Sequence, residues 1–528
     1  MSGPNLSHQP DLFVTRVLRH AAERPDRRAV VCDGVAMTYG VLVDRAGRVA
    51  QRLQDLGFVP GGARRVGLLA ANGLDVAVVV VAGHLLGVAV VPVPTVITAE
   101  AQAGMLTDAN VALLFFDPDH REAAHAAVGL MAAAEPVTLV PIGTEAGHPD
   151  TSALEGWSAA KPLASPAASD RAWTSDIIYS SGTTGVPKGI VQSYQVRAAA
   201  CASLARLGVG ADSHILQTVG LYSNFGIGAL YLTLWCGGTL LIMRKFSGPA
   251  AVATLAEWPI DMAWVAPATL IRTIESPGFD AAVAGRSCTK LCAGAPLGVD
   301  HKRRVLATWP GRLLDLYGQT ETGTLSILEA RSATDDKLGS VGPLIPNVLV
   351  KILDDEGRVL PPDTEGEIAG HSATMMTGYH GRADADLAAA WHDDAGRPYI
   401  RTGDIGKLDA DGFLWICDRK KDMIISGGYN VFPADIERTL QGHPAVLEVA
   451  VVGFPSTRWG ESPVAFVTLR DGASADEEAL REWANGRVAK IQRVARVRVL
   501  AGLPAGTMGK ILKRELRTRF AEAIGTLP

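Results

Sequence analysis

The sequence predicts an α/β protein with a large N-terminal body followed by smaller domains. Helical and strand-like patterns alternate through its first two thirds, and Gly 56 and Pro 30 supply the turns that separate such elements. At 528 residues the chain is also too long for one ordinary core. The alternation predicts parallel sheet with crossover helices.

Each element follows from its pattern. After a leader at 1–10, "LFVTRVLRHAAERP" from Leu12 is amphipathic and helical, "RAVVCDG" from Arg28 is a strand and turn, and "TYGVLVDRAGRVAQRLQDLG" from Thr38 returns to helix. Strands are expected at "RVGLLAANG", "VALLFFDPD" and "PVTLVPIG". Between them the apolar run Val76 to Val93 approaches membrane-spanning length, but Gly83, Gly87 and Pro92 divide it into a buried helix and a strand. A Pro/Ala/Ser-rich surface stretch, Ala159 to Ser169, precedes the strand "DII" at Asp176. Further on, "AAACASLARLG" reads as helix, "GTLLIMRKF" as strand, "DMAWVAPATLIRTIES" as strand then helix, and "CTKLCAGAPL" and "RLLDLYGQTET" as strands with loops. From about Ser340 to 418, short β segments between Gly, Pro and Asp turns mark a β-rich subdomain. A third region begins near Asp418, with a helix from Pro433, strands at "LEVAVVGFP" and "SPVAFVTLR", a helix over Ala475 to Val488 and a basic tail containing Lys513, Arg514 and Arg517.

The bulk numbers exclude several classes. A net charge of −5 with scattered Lys and Arg argues against a nucleic-acid or anionic-membrane surface, so small-molecule partners are expected. The six cysteines, Cys32, Cys201, Cys236, Cys288, Cys292 and Cys417, lack CxxC spacing, which argues against a disulfide framework or thiolate metal site. "MSGPNLSHQP" has no basic and apolar signal pattern, so a reducing cytoplasm is the expected location. The composition is compatible with an oligomer and selects none.

Chemistry concentrates first in "YSSGTTGVPKG", Tyr179 to Gly189. Ser180, Ser181, Gly182, Thr183, Thr184 and Gly185 can turn hydroxyls and backbone amides toward one point, with side chains small enough for an anion to approach. Lys188 adds a cation and Pro187 restricts the loop. Such a cup suits a polyphosphate; the competing reading is a flexible hydrophilic loop. It is not a Walker A loop, because Pro187 stands where that motif needs glycine before lysine.

This loop resembles the phosphate-binding signature of the adenylate-forming superfamily, which includes acyl-CoA synthetases, peptide-synthetase adenylation domains and luciferases. The other signatures follow in the family's order across nearly the whole chain: "LCAGAPL" from Leu291, "YGQTE" from Tyr317, "GEIAG" from Gly366, "GY" at Gly378, "RTGD" from Arg401, "DRKKDMIISGGYNVFPADIE" from Asp418 and "GTMGKILKREL" from Gly506. The resemblance implies two stacked mixed-sheet α/β subdomains and a small β-barrel-like subdomain over 11–418, a hinge at 419–421 and a small mobile α+β C-terminal domain over 422–528.

It also implies an ATP- and Mg2+-dependent enzyme that joins a carboxylic acid to AMP, releases pyrophosphate and passes the acyl group to the thiol of CoA. By the same resemblance Glu321 is the magnesium-associated glutamate, Thr320 contacts phosphate, and Tyr317 and Gly318 lie at the adenine. Gly294, Ala295 and Pro296 run along adenine and acyl pocket; Asp404, assisted by Arg419, accepts the ribose hydroxyls, which suits a carboxylate's two acceptor oxygens. Lys510 is the adenylation lysine, a compact cation that neutralises charge as it develops between acid and α-phosphate. Lys421 is the hinge, and Ser426, Gly427 and Gly428 line the pantetheine tunnel. Pro504 to Lys510 fits the family's lysine-acetylation context, where loss of charge would silence adenylation.

The chain departs from the family at three places. Tyr194 and Ser223 stand where many members carry histidine, and Ala495 stands where many carry proline, which weakens the case for an efficient thiol step. The acyl pocket is assigned to Tyr222, Ser223, Asn224, Phe225, Gly226, Gly228 and Gln319. Gly226 and Gly228 are read as leaving room, with Asn224 and Ser223 as polar handles, so a bulky cyclic, aromatic or hydrophobic acid is expected. The Asn224–Phe225 pair resembles aryl-acid-activating members. The competing acceptor is the phosphopantetheine arm of a carrier protein supplied in trans, as no carrier domain follows Pro528. A luciferase-like oxygenase and a silent nucleotide-binding protein are further alternatives; the second is disfavoured by the presence of Lys510 and Glu321.

Overall fold

The computed structural model describes residues 9–527 apart from 132–135, 144–153, 155–156, 158–160, 164–165, 168–169, 181–187, 421, 427–428 and 506–510. The chain divides into two compact units: Met1–Leu338 with Ile345–Val348 and His371–Ala390, and Gly339–Leu344 with Leu349–Gly370 and Trp391–Pro528.

The first unit is built on two mixed sheets. One has eight strands in the order Gly323–Glu329, Leu313–Gln319, Thr289–Cys292, Met262–Val265, His214–Gln217, Thr239–Ile242, Arg28–Cys32, Val35–Thr38. The other has seven: Gly378–Tyr379, Lys188–Ser193, Thr174–Ser180, Val90–Pro92, Arg65–Leu69, Val111–Phe116, Thr138–Pro141. Pairing is parallel through the centre of each, as the strand–helix alternation predicts. It turns antiparallel where consecutive strands are joined by connections too short for a crossover helix, as between Arg28–Cys32 and Val35–Thr38, or Leu313–Gln319 and Gly323–Glu329.

A continuous core serves both sheets, with helices Phe13–Glu23, Tyr39–Asp55, Leu74–Leu86 and Asn224–Cys236 contributing to it. Helix Leu74–Leu86 is buried from Asp75 through Leu86, and its all-round apolarity belongs to an interior helix. Gly87 ends it in the left-handed region (φ +78°), and the chain then enters strand Val90–Pro92. Among the described residues no helix is long and apolar enough to cross a membrane.

The second unit holds two five-stranded sheets. In one, Leu349–Leu353, Gly366–His371, Pro398–Leu408 and Ala390–His392 follow in order, and Leu414–Arg419 pairs antiparallel with Pro398–Leu408. The other centres on the hairpin Val446–Ser456 and Gly460–Leu469, flanked by Ile424–Ser426, Tyr429–Val431 and the parallel strand Arg496–Val499. Strand alternation gives this sheet two apolar faces. Val449 and Val451 pack with Ile436, Leu440 and Leu480, whereas Ala450, Val452 and Phe454 pack with Leu516 and Ile524. Lys513, placed by the sequence in a basic tail, is drawn inward: its Nζ lies 2.8 Å from Glu437 Oε1, which also accepts the Val451 amide at 2.7 Å. Burial pushes the Glu437 carboxyl up, and Lys513 acts against that shift.

Candidate active site

The antiparallel pair Thr174–Ser180 and Lys188–Ser193 fixes the two ends of the Ser/Thr/Gly loop. Ser180 and Lys188 are register partners, so the described ends of the loop are brought side by side. Ser181, Gly182, Thr183, Thr184 and Gly185 lie outside the described residues, as do Lys421, Gly427, Gly428 and Lys510. The Lys188 ammonium sits 5.0 Å from the centre of the Tyr379 ring, whose negative face favours a cation. Strand Gly378–Tyr379 reaches it by pairing with Lys188–Ser193, Tyr379 opposite Ile190.

The Tyr379 hydroxyl donates to Glu321 Oε1 at 3.1 Å. One aromatic side chain therefore carries the cation on its ring and the carboxylate on its hydroxyl. Glu321 lies in the turn between Leu313–Gln319 and Gly323–Glu329, where its carbonyl accepts the Met376 amide at 2.8 Å. The preceding Thr320 carbonyl accepts Gln192 Nε2 at 2.8 Å. Burial, and after it the Glu321 charge, raise the Tyr379 pKa above the usual phenol range, so the hydroxyl stays a proton donor. Tyr317, Gly318 and Gln319 occupy the half-buried end of the same strand, with a register shift between Tyr317 and Gly318. Gly294, Ala295 and Pro296 form the loop after strand Thr289–Cys292, with Gly294 at φ +95°, a conformation glycine adopts without steric cost.

The acyl-pocket candidates sit at the start of helix Asn224–Cys236. Ser223 is its N-cap: its hydroxyl accepts the Gly226 amide at 3.0 Å and donates to the Gly220 carbonyl at 2.9 Å, so the polar handle expected there is engaged by the backbone. Gly226 has a different reason from pocket space. A Cβ there would lie 1.9 Å from the Gly220 carbonyl oxygen, so the turn closes only without a side chain. Gly228 borders a cavity with Arg197, Cys201 and Tyr231. The Phe225 ring stacks on Trp264 (centroids 4.9 Å, 29°), and Trp264 Nε1 donates to the Phe225 carbonyl at 2.9 Å. Tyr222 is half-buried beside Gly220. Asn224 Oδ1 accepts Arg197 Nη1 at 2.7 Å.

Arg197 and its partner Asp176 were missed in the sequence reading, as were Trp264 and Tyr379 as holders of neighbouring groups. A signal for the charged pair existed. Each is the one charged residue of its element, "TSDIIYS" and "YQVRAAACASLA", and a lone charge in a largely buried element calls for a partner.

In the second unit Asp404 and Arg419 are register partners on adjacent antiparallel strands, with Arg419 Nε 2.5 Å from Asp404 Oδ1. Asp404 is 3% exposed, and its amide donates to Thr402 Oγ1 at 3.1 Å. Ser426 ends strand Ile424–Ser426 and is buried.

The donor set fits magnesium in one way. Among the described residues no group of three or more His, Cys, Asp and Glu gathers to hold a metal. A hard cation that keeps most of its water and is bound through one carboxylate plus substrate phosphates needs no such cage, and Glu321 is a carboxylate held by the same tyrosine that carries Lys188 on its ring.

The model of the AMP-binding enzyme family matches residues 17–380, and that of the AMP-binding enzyme C-terminal domain matches 435–510. The chain is 31% identical to a fatty acid–[acyl-carrier-protein] ligase of Streptomyces coeruleorubidus over 97% of its length and 98% of that protein's. It is 30% identical to a feruloyl-CoA synthase of Amycolatopsis over 95% of its length and 98% of that protein's. ATP-bound MatB from Rhodopseudomonas palustris superposes with a TM-score of 0.86 at 27% identity, covering 97% of this chain and 100% of that one. The o-succinylbenzoate CoA synthetase of Bacillus subtilis, holding its acyl-adenylate, superposes with 0.82 at 25% identity, covering 97% and 99%. The two family matches and the likeness to CoA ligases over nearly the whole chain place it in the AMP-binding enzyme family of adenylate-forming ligases, as an acid–thiol ligase of the acyl-CoA-synthetase kind.

Proposed function

We propose that this ligase activates a bulky, largely apolar cyclic or aromatic carboxylic acid with ATP and transfers the acyl group to CoA. The observation that carries the reading is the Tyr379 side chain, which supports Lys188 on its ring and Glu321 on its hydroxyl. In the first step an oxygen of the acid bonds to the α-phosphorus of ATP as the bond to the β-phosphate bridging oxygen breaks. Pyrophosphate leaves, and both reactants are anions. Lys188 offsets the charge on the departing phosphates, and Glu321 holds the magnesium that, when bound, neutralises the triphosphate. In the second step the CoA sulfur bonds to the acyl carbon and the carbon–oxygen bond to AMP breaks.

The acid is inferred from the half-buried aromatic residues Tyr222 and Phe225 at the head of the helix, the second stacked on the buried Trp264. Thr183 and Thr184 are assigned to the phosphates, Asp404 and Arg419 to the ribose, and Ser426 to the pantetheine arm. Identity to a fatty acid–[acyl-carrier-protein] ligase supports a second acceptor, a carrier-protein phosphopantetheine. ATP–pyrophosphate exchange across aryl, alicyclic and fatty acids tests the first step, with the highest kcat/KM expected among aryl or alicyclic acids. Exchange confined to straight-chain fatty acids overturns the pocket assignment. Thioester formation with free CoA against phosphopantetheinylated acyl carrier protein decides the acceptor.

A further inference from the structure

Asp176, on the strand that runs into the phosphate loop, is 0% exposed, and Arg197, on the helix after it, is 4% exposed. Arg197 Nε donates to Asp176 Oδ2 at 2.8 Å and Nη2 to Oδ1, a two-point fork. Ser175 Oγ (2.8 Å) and the Tyr231 hydroxyl (3.2 Å) also donate to Asp176 Oδ2. His84 Nε2 closes the set, 3.2 Å from the Tyr231 hydroxyl and 3.1 Å from Ser175 Oγ. The Arg197 guanidinium lies 5.1 Å from the centre of the Tyr231 ring. Four donors converge on this carboxylate, and the arginine it grips has little freedom to turn.

The third direction of the fork matters most. Arg197 Nη1 reaches out of the buried set to Asn224 Oδ1 at 2.7 Å. A guanidinium has donors and no acceptor, so it donates only to the amide's oxygen and disfavours the flipped rotamer. The NH2 of Asn224 must then face away from Arg197. Among the described residues nothing accepts from it, and Asn224 is half-buried at the head of the helix whose first turn also carries Phe225.

We infer that Arg197, clamped by Asp176, is a positioning residue that fixes the Asn224 amide so that the acyl pocket offers a hydrogen-bond donor and selects acids carrying an acceptor oxygen. This rests on the assignment of Asn224 to the acyl pocket. A freely rotating amide would serve donors and acceptors alike; a clamped one distinguishes an ether or carbonyl oxygen from a methylene of the same shape. The ion pair spends its charge inside the fold and exports one orientation.

The test uses acids matched in shape: 2-, 3- and 4-methoxybenzoate against 2-, 3- and 4-ethylbenzoate, read as kcat/KM in ATP–pyrophosphate exchange with the full-length enzyme. At one ring position at least, the wild type should prefer the methoxy acid by about tenfold. Asn224→Leu should abolish that preference. Arg197→Lys keeps a charge for Asp176 but lacks the fork that also reaches Asn224, so the preference should fall to within about twofold. The drop should lie in KM for the acid and leave KM for ATP in place, a split that general loss of structure does not produce. The double variant Asp176→Leu with Arg197→Met removes both buried charges and should behave as Arg197→Lys does; should it not fold, Arg197→Lys carries the test. Preference lost in Asn224→Leu but kept in the Arg197 variants overturns the positioning role while the pocket assignment stands. A wild type without preference, or one that turns over none of the six acids, overturns both.

Discussion

Replacing Tyr379 by Phe removes one hydroxyl and leaves the ring under Lys188, so it isolates the bond to Glu321 Oε1 at 3.1 Å. A hydrogen bond to a charged acceptor is worth about 1.5–3 kcal/mol when desolvated, and the half-buried setting of both residues puts this one near the lower end. At 1.36 kcal/mol per decade, the loss corresponds to about a tenfold fall in kcat/KM for Mg·ATP. Because Glu321 loses orientation rather than charge, the magnesium concentration for half-maximal exchange should rise in the same measure. Tyr379→Leu also removes the cation–π contact, worth about 0.5–1 kcal/mol, and should cost a further twofold to fivefold. The raised Tyr379 pKa keeps the hydroxyl protonated from pH 6 to 9, so the Phe effect should not vary over that range. The assay is initial-rate ATP–pyrophosphate exchange with magnesium and ATP varied independently. A Tyr379→Phe enzyme within about twofold of wild type, with the same magnesium dependence, would refute the idea that this tyrosine orients Glu321.

Three other outcomes follow from the same geometry. Burial lowers the His84 pKa from 6.5 to about 3, so between those values the unfolded chain binds the proton that the folded one refuses. Stability from this site is full above pH 6.5 and lost as pH falls toward 3; from pH 7.5 to 5 the loss is about 2 kcal/mol. His84→Gln should flatten that limb in denaturant unfolding, and parallel wild-type and variant curves would count against it. Lys290 Nζ, 0% exposed, donates to the carbonyls of Cys288, Trp309 and Pro310 at 2.9–3.0 Å. Lys290→Met leaves these acceptors short of a donor and should destabilise the protein by about 3 kcal/mol or more in urea; a change under about 1 kcal/mol would show that water replaces the ammonium without loss. Asp404→Asn keeps the shape but loses the charge facing Arg419, and with ribose assigned to Asp404 the KM for ATP should rise about tenfold while KM for the acid holds. Equal rises in both would point to general disorder of the strand pair.

Much of the candidate site could be proposed from sequence because its motifs are local. Ser180 to Lys188 gather donors and a cation within one loop, and "YGQTE", "RTGD" and "DRKKD" stand in a fixed order, so short patterns were enough to name Lys188, Glu321, Asp404 and Arg419. Pairings between distant segments were not legible. Tyr379 was noted only as part of a "GY" dipeptide, and that its ring and hydroxyl would hold Lys188 and Glu321 depends on the register of Gly378–Tyr379 against Lys188–Ser193. Ser223 and Gly226 were read by side-chain size and polarity alone. Their actual work, capping a helix and letting the Gly220 carbonyl pass, depends on where the backbone turns. Lys513 shows the same limit: a basic helix looks exposed until an acidic partner, Glu437, is folded against it.

The sequence by itself determined the strand–helix alternation, the polyphosphate-binding chemistry and the family, because period, turn residues and motif order are properties of neighbouring positions. Only the tertiary structure decided which strands turn antiparallel, which tyrosine joins the cation to the carboxylate, and that a buried Asp176–Arg197 pair grips Asn224. The physical reason is that a hydrogen bond or ion pair requires two groups within about 3 Å in a set direction. Residues far apart in the chain meet that condition only once the sheets and helices have packed.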